Sequence, residues 1–185
     1  PPAVMALLDK IRRNGVPLAD YVGVKPLYGI KTGFNEAFLI DTPTRDRLVA
    51  EDPGCAEIIK PYLRGQDIER WSSPVSGLFI IVMKSSADYP WPWANCKTTA
   101  LAEAAFANEH PSLFRHFKSY ETFLKKRQDH GRFWWELRPC AYYTEFAKSK
   151  IMVKRIAFYP QVSEDSTGSY VNDSAIIIPS HDPWT

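Results

Sequence analysis

A chain of 185 residues, 45% hydrophobic and 24% charged, is long enough to bury one sizeable core and too balanced for a disordered or fibrous protein. No apolar run approaches the ~18 residues of a membrane span, and Pro1-Pro2-Ala3 lacks the basic-then-apolar order of a secretory signal. The formal charge of +2 hides an asymmetry: residues 111–155 hold eleven Lys or Arg against four Asp or Glu, the remainder twelve against seventeen. That block suits a surface for an anionic partner, although a solvated helix face has the same composition.

The chain starts without Met and stops just past Ala175-Ile176-Ile177-Ile178, so both ends are expected to be cuts in a longer protein. Val4–Arg13 reads as an amphipathic helix closed by Gly15. Leu18–Ile40, punctuated by Gly23, Gly29 and Gly33, reads as strands joined by tight turns. Asp41-Thr42-Pro43 starts a helix, with a capping carboxylate and an early proline. It should end near Pro53, with a further turn or two through Ile58 and Ile59. Leu78–Val82 is a buried strand, Asp88–Trp93 a loop, and Thr98–Asn108 a helix.

Pro111–Gln128 should be one long helix ended by Gly131. Leu113, Phe114, Phe117, Tyr120, Phe123 and Leu124 form its apolar face, away from Arg115, Lys118, Lys125 and Lys126. Ile151–Val153, Ala157–Val162 and Ala175–Ile178 read as strands. The sum is an α+β fold, with mixed or antiparallel sheet elements at both ends of the chain and a helical middle.

Three local patterns carry possible chemistry. In Gly29-Ile30-Lys31-Thr32-Gly33-Phe34-Asn35, the glycines permit close backbone approach beside a cation and a hydroxyl. Those parts contact phosphates, and a plain hairpin turn also accounts for them. In Ile59–Trp71, Arg64 and Gln66 are able to read base edges, while Asp67 could instead hold Arg64 or Arg70 in an internal ion pair. In Phe133–Arg138, the paired Trp134 and Trp135 could pack in the core or stack on a base.

No Gly-rich cofactor loop, Ser-His-Asp set or carboxylate cluster is recognisable. Asp129 followed by Glu136 and Arg138 gives a weak likeness to a metal-dependent nuclease. Cys55, Cys96 and Cys140 have no metal-ligand spacing and read as thiols of a reducing cytoplasm. Asn172-Asp173-Ser174 fits a glycosylation sequon, read here as chance.

Together these segments resemble the TaqI-like C-terminal specificity domain of N6-adenine DNA methyltransferases and single-chain type II restriction-modification enzymes. The resemblance rests on the Gly29–Gly33 turn with Asn35, the Ile58–Trp71 block, the amphipathic helix with its basic end, Trp134–Arg138, and the stretch from Tyr142-Tyr143 through Phe146 to Lys150-Ile151, all in order. It implies a target-recognition domain over residues 16–185, continuing past the C-terminal end, preceded by a connector helix over 1–15.

It further implies an upstream methyltransferase domain in the same chain, which would hold S-adenosylmethionine and extrude the adenine. No cofactor and no catalysis are then expected within these residues, and the whole protein would methylate DNA and could also cut it. The partner implied is double-stranded DNA, with no membrane association. The candidate contacts are Lys31, Thr32, Asn35, Arg64, Gln66, Arg70, Arg115, Lys118, Trp135, Arg138, Lys154 and Arg155. Gln66 departs from the Arg or Lys common at its position, and an amide there favours adenine. A basic face for an acidic protein, and the nuclease using Asp129 and Glu136, are the rival readings.

Overall fold

The computed structural model describes residues 1–72 and 75–179, the Val22 side chain apart. The expected C-terminal margin of the domain, residues 180–185, lies outside the described residues. Helix α1, Pro2–Asn14, buries none of its side chains, and α2, Leu18–Val22, ends on Gly23 at φ 71°. Where turns and strands were expected through Ile40, only β1, Leu27–Tyr28, and β2, Leu39–Asp41, are extended; a single helical turn, α3, Asn35–Phe38, lies between them. The Asp41 carboxylate caps α4, Thr42–Glu51, by accepting from the Thr44 N–H at 3.0 Å. A short 3-10 segment, Pro53–Glu57, follows, and the chain then becomes strand β3, Ile59–Leu63, not further helix. Strand β4, Leu78–Ile81, and α5, Thr99–Glu109, capped by the Thr98 hydroxyl, fall where the sequence puts them.

The long helix is broken. Helix α6 covers Pro111–Lys118 and α7 only Glu121–Leu124. At the break the Ser119 hydroxyl donates to the His116 carbonyl at 2.7 Å, taking an acceptor that a continuing helix would use. The remaining strands are β5, Lys150–Lys154, β6, Val162–Asp165, β7, Tyr170–Val171, and β8, Ala175–Pro179. Residues 155–160, partly expected as a strand, are the connection between β5 and β6.

Two four-stranded sheets result, ordered β1-β8-β5-β6 and β2-β4-β3-β7. All pairings are antiparallel except β3 with β7. Tyr170–Val171 is the edge of the second sheet and Ala175–Pro179 an inner strand of the first. The turn Asn172-Asp173-Ser174 therefore joins the sheets, closed by an Ala175 N–H to Asn172 carbonyl bond of 3.0 Å. The arrangement is α+β. Among the described residues no helix is long and apolar enough to cross a membrane.

Helix α4 packs on β2 and β4, α6 on α4 and α5 on α6. Their shared core is aromatic: Trp135 stacks between Phe133 at 5.0 Å and Phe106 at 5.3 Å, and Trp93 closes on both Phe106 and Trp135. Such rings bury ~150–250 Å² each, on the order of 4–6 kcal/mol per ring by area. A second anchor is ionic. Lys150, at the start of β5, meets Asp165, at the end of β6, with neither side chain exposed. The Lys150 ammonium also donates to the Phe146 carbonyl, and Asp165 accepts from the Ser169 and Thr167 N–H groups. Those bonds satisfy charges that would otherwise be costly to bury.

Candidate nucleic-acid interface

The Gly29–Gly33 turn is built by close approach. A Cβ on Gly29 would stand 1.9 Å from the Asn172 carbonyl oxygen, and Gly33 has φ 70°. Thr32 is buried, its hydroxyl donating to Asn35 Oδ1 at 2.6 Å, so this hydroxyl is internal structure and not a surface group for a phosphate. Lys31 points outward, its ammonium 4.0 Å from Asp173. Lys31, Gly33, Asn35, Glu36, Asp129 and Asp173 border an open depression of about 380 Å³.

Behind it stands Arg127, a buried cation the sequence reading passed over. Its guanidinium donates to the carbonyls of Thr32, Asp129, Trp134 and Glu136 and lies over the Phe38 ring at 4.6 Å. Burial pulls its pKa down to about 10. One side chain thus ties the Gly29–Gly33 turn to the tryptophan segment.

In the Arg64–Asp67 turn the internal ion pair forms. Arg64 donates Nε and Nη2 to the two Asp67 oxygens at 2.9 and 2.8 Å, and Asp67 also accepts the Arg64 backbone N–H. The bonds from Arg64 hold the Asp67 carboxyl below its usual range, with Lys154 adding to the effect. Gln66 stands exposed on the outer side of this turn. Gly65 faces inward, its N–H donating to Asn172 Oδ1 at 3.0 Å; a Cβ there would meet the Ser174 hydroxyl at 2.2 Å.

Asn172-Asp173-Ser174 therefore touches both turns. It also receives Arg155, whose N–H bonds the Ser174 carbonyl at 2.9 Å and whose guanidinium bonds the Asp173 carbonyl at 2.6 Å over the Tyr28 ring. Arg70 sits at the margin, over the exposed Trp71 ring, and the Trp71 N–H donates to the Val162 carbonyl. Lys31, Asn35, Arg64, Gln66, Arg70, Lys154 and Arg155 are thus gathered at one end, around the inter-sheet turn. The sequon-like triplet owes its place to turn chemistry, which Asn, Asp and Ser supply.

No family model matches this chain, and no curated protein does. Its fold is similar to part of a solved structure of the Type IIL restriction-modification enzyme MmeI in complex with DNA, with a TM-score of 0.52 and 12% identity. The match covers 86% of this chain and 19% of that one, so the chain spans about a fifth of that enzyme's length. At this identity the likeness is one of fold.

The other candidates lie elsewhere. Trp135 is wholly buried among aromatic rings, which removes it as a base-stacking platform. Arg115 pairs with Glu51 at 2.7 Å, and Lys118 with Glu103 and Glu121 at 3.1 and 3.0 Å. Lys125 also pairs with Glu121. The basic block is thus not an open basic face: acids from α4, α5 and α7 neutralise much of it, and Arg127 and Lys150 are inside.

Arg138 approaches Asp129 at 4.0 Å, behind Gly33. Glu136, the other acid of the nuclease reading, is buried. It accepts from Trp93 Nε1 at 2.9 Å and from the Ser86 and Phe133 N–H groups at 3.1 and 3.2 Å. Its oxygens are committed to holding the tryptophan segment, and among the described residues no group of His, Cys, Asp and Glu could hold a metal ion.

Proposed function

We propose that this chain is a target-recognition module that binds duplex DNA, part of a restriction-modification enzyme or N6-adenine DNA methyltransferase of the TaqI-like kind. The observation that carries the reading is the convergence of three chain segments on the Asn172–Ser174 turn. It leaves Lys31, Lys154 and Arg155 within reach of phosphates and Gln66 exposed at the rim. Phosphate contacts fix the register of such a module and base-edge contacts give its sequence preference. The order of the sequence motifs and the likeness in fold to part of a DNA-bound restriction-modification enzyme support the same reading.

In this account α1, with no side chain buried, is the connector to an upstream methyltransferase domain that holds S-adenosylmethionine. The present residues are expected to bind no cofactor, so calorimetry against S-adenosylmethionine should register no heat of binding. The decisive experiment is equilibrium binding to a random-sequence duplex over a range of salt. The expected result is a steep loss of affinity with salt, ~0.9 in log–log slope for each phosphate neutralised. A salt-independent or undetectable interaction overturns the reading.

A further inference from the structure

Resting on the DNA-binding reading, we propose that the β5–β6 hairpin tip is an apolar wedge that inserts between base pairs of the bound duplex. Ile156 is 81% exposed, Phe158 92%, Tyr159 69%, and Trp71, bonded through its N–H to Val162 at the start of β6, 79%. Single exposed apolar residues are ordinary, but four large ones on neighbouring segments mark a surface that something covers.

The surroundings select the occupant. Lys154 and Arg155 stand at the base of the hairpin, and the Arg70 guanidinium lies over Trp71 at 5.7 Å. Three cations beside an apolar tip complement a polyanion whose interior is an apolar stack, which describes the base pairs of a duplex. The tip is also firmly mounted. The Lys154 N–H to Gln161 carbonyl bond of 3.0 Å closes the hairpin, and both Arg155 bonds tie it to the inter-sheet turn. Phe158 and Tyr159 brace each other edge to face, with centroids 4.9 Å apart. Trp71 is held at φ 67°, a strained conformation for a non-glycine residue, with its ring left in solvent. Ile, Phe and Pro are the wedge types of DNA-bending proteins, and Ile156, Phe158 and Pro160 supply all three.

Insertion unwinds DNA, so the test is topological. A relaxed closed plasmid, long enough to carry many sequence contexts, is incubated with the chain and a topoisomerase, then stripped of protein. The wild-type chain is expected to leave a deficit in linking number that grows with the amount bound. Ile156→Ser with Phe158→Ser should abolish the deficit and weaken plasmid binding about tenfold, with the salt slope unchanged. Wild-type protein that binds the plasmid without any deficit overturns the wedge and leaves the DNA-binding reading standing. So does a deficit that survives in the double variant. Variant affinity equal to wild type, with no deficit from either protein, shows that the tip does not touch the duplex and overturns the wedge. Failure of the wild-type chain to bind the plasmid at all overturns both.

Discussion

The helical layer and the loop end of this molecule hold the same kinds of residues and use them oppositely. Around α5 and α6, cations meet carboxylates from other helices and tryptophans are sealed in a stack. Around the Asn172–Ser174 turn, Gln66, Lys31 and Arg155 face outward, and Phe158 and Trp71 stand in solvent. Composition does not distinguish the two regions; the closeness of carboxylates does, since Arg115 and Lys118 hold them within 3.1 Å whereas Lys31 stands 4.0 Å from Asp173 and the Arg155 guanidinium bonds a neutral backbone carbonyl. A charge count along the chain favours the helical layer as the DNA surface, whereas the pairing of those charges favours the loop end.

The contrast is sharpest in stability. Trp135→Ala is expected to cost roughly 3–5 kcal/mol, the usual range for emptying a large buried aromatic site. Phe158→Ser should change stability by no more than about 0.5 kcal/mol. Urea unfolding of both variants checks this, and similar costs for the two would erase the distinction between the regions. Lys150→Met belongs with the large effects: it leaves Asp165 as an uncompensated buried charge, at a cost of about 3–5 kcal/mol. Arg127→Met should follow, at ~3 kcal/mol for the carbonyls it strands. Because Arg127 bridges the two regions, amide exchange should rise at Thr32 and Gly33 as well as at Trp134.

Much of the fold was legible where local chemistry decides it. Asp41 and Thr98 cap α4 and α5, and the apolar runs at Leu78 and Ala175 are strands. Other elements were not legible, for reasons that can be named. Ser119 breaks the long helix by a hydrogen bond that the apolar periodicity does not register. Lys60 and Pro61 disguise β3, which exists because β4 and β7 flank it. The stretch Ala157–Val162 reads as a strand, yet residues 157–160 are an exposed connection, since periodicity does not report burial. At the candidate site the Gly29–Gly33 and Arg64–Gln66 turns were visible from their glycines. Their meeting point at Asn172 was not, because it depends on β7 and β8 belonging to different sheets.

A smaller effect separates the regions by pH. The ring of His116, on α6, is half-buried and lies 2.8 Å from the Ala37 carbonyl; its partial burial lowers its pKa from the ordinary 6.5. The unfolded chain therefore takes up the proton first as pH falls. Stability is whole above about pH 6.5 and declines below it, by at most ~1.4 kcal/mol per pH unit for one proton. His116→Gln should flatten that part of the melting-temperature profile, while Gln66→Arg, at the loop end, should leave it unchanged.

The central claim, that DNA meets the loop end and not the helical layer, is tested by comparing two charge-removal pairs in one salt titration. Lys31→Ala with Arg155→Ala should lower the log–log salt slope by ~0.9 for each phosphate that is no longer neutralised. Arg115→Ala with Lys118→Ala, whose charges are already matched by Glu51, Glu103 and Glu121, should leave the slope at the wild-type value. The reverse pattern, with the helical pair reducing the slope and the loop pair not, would contradict the account.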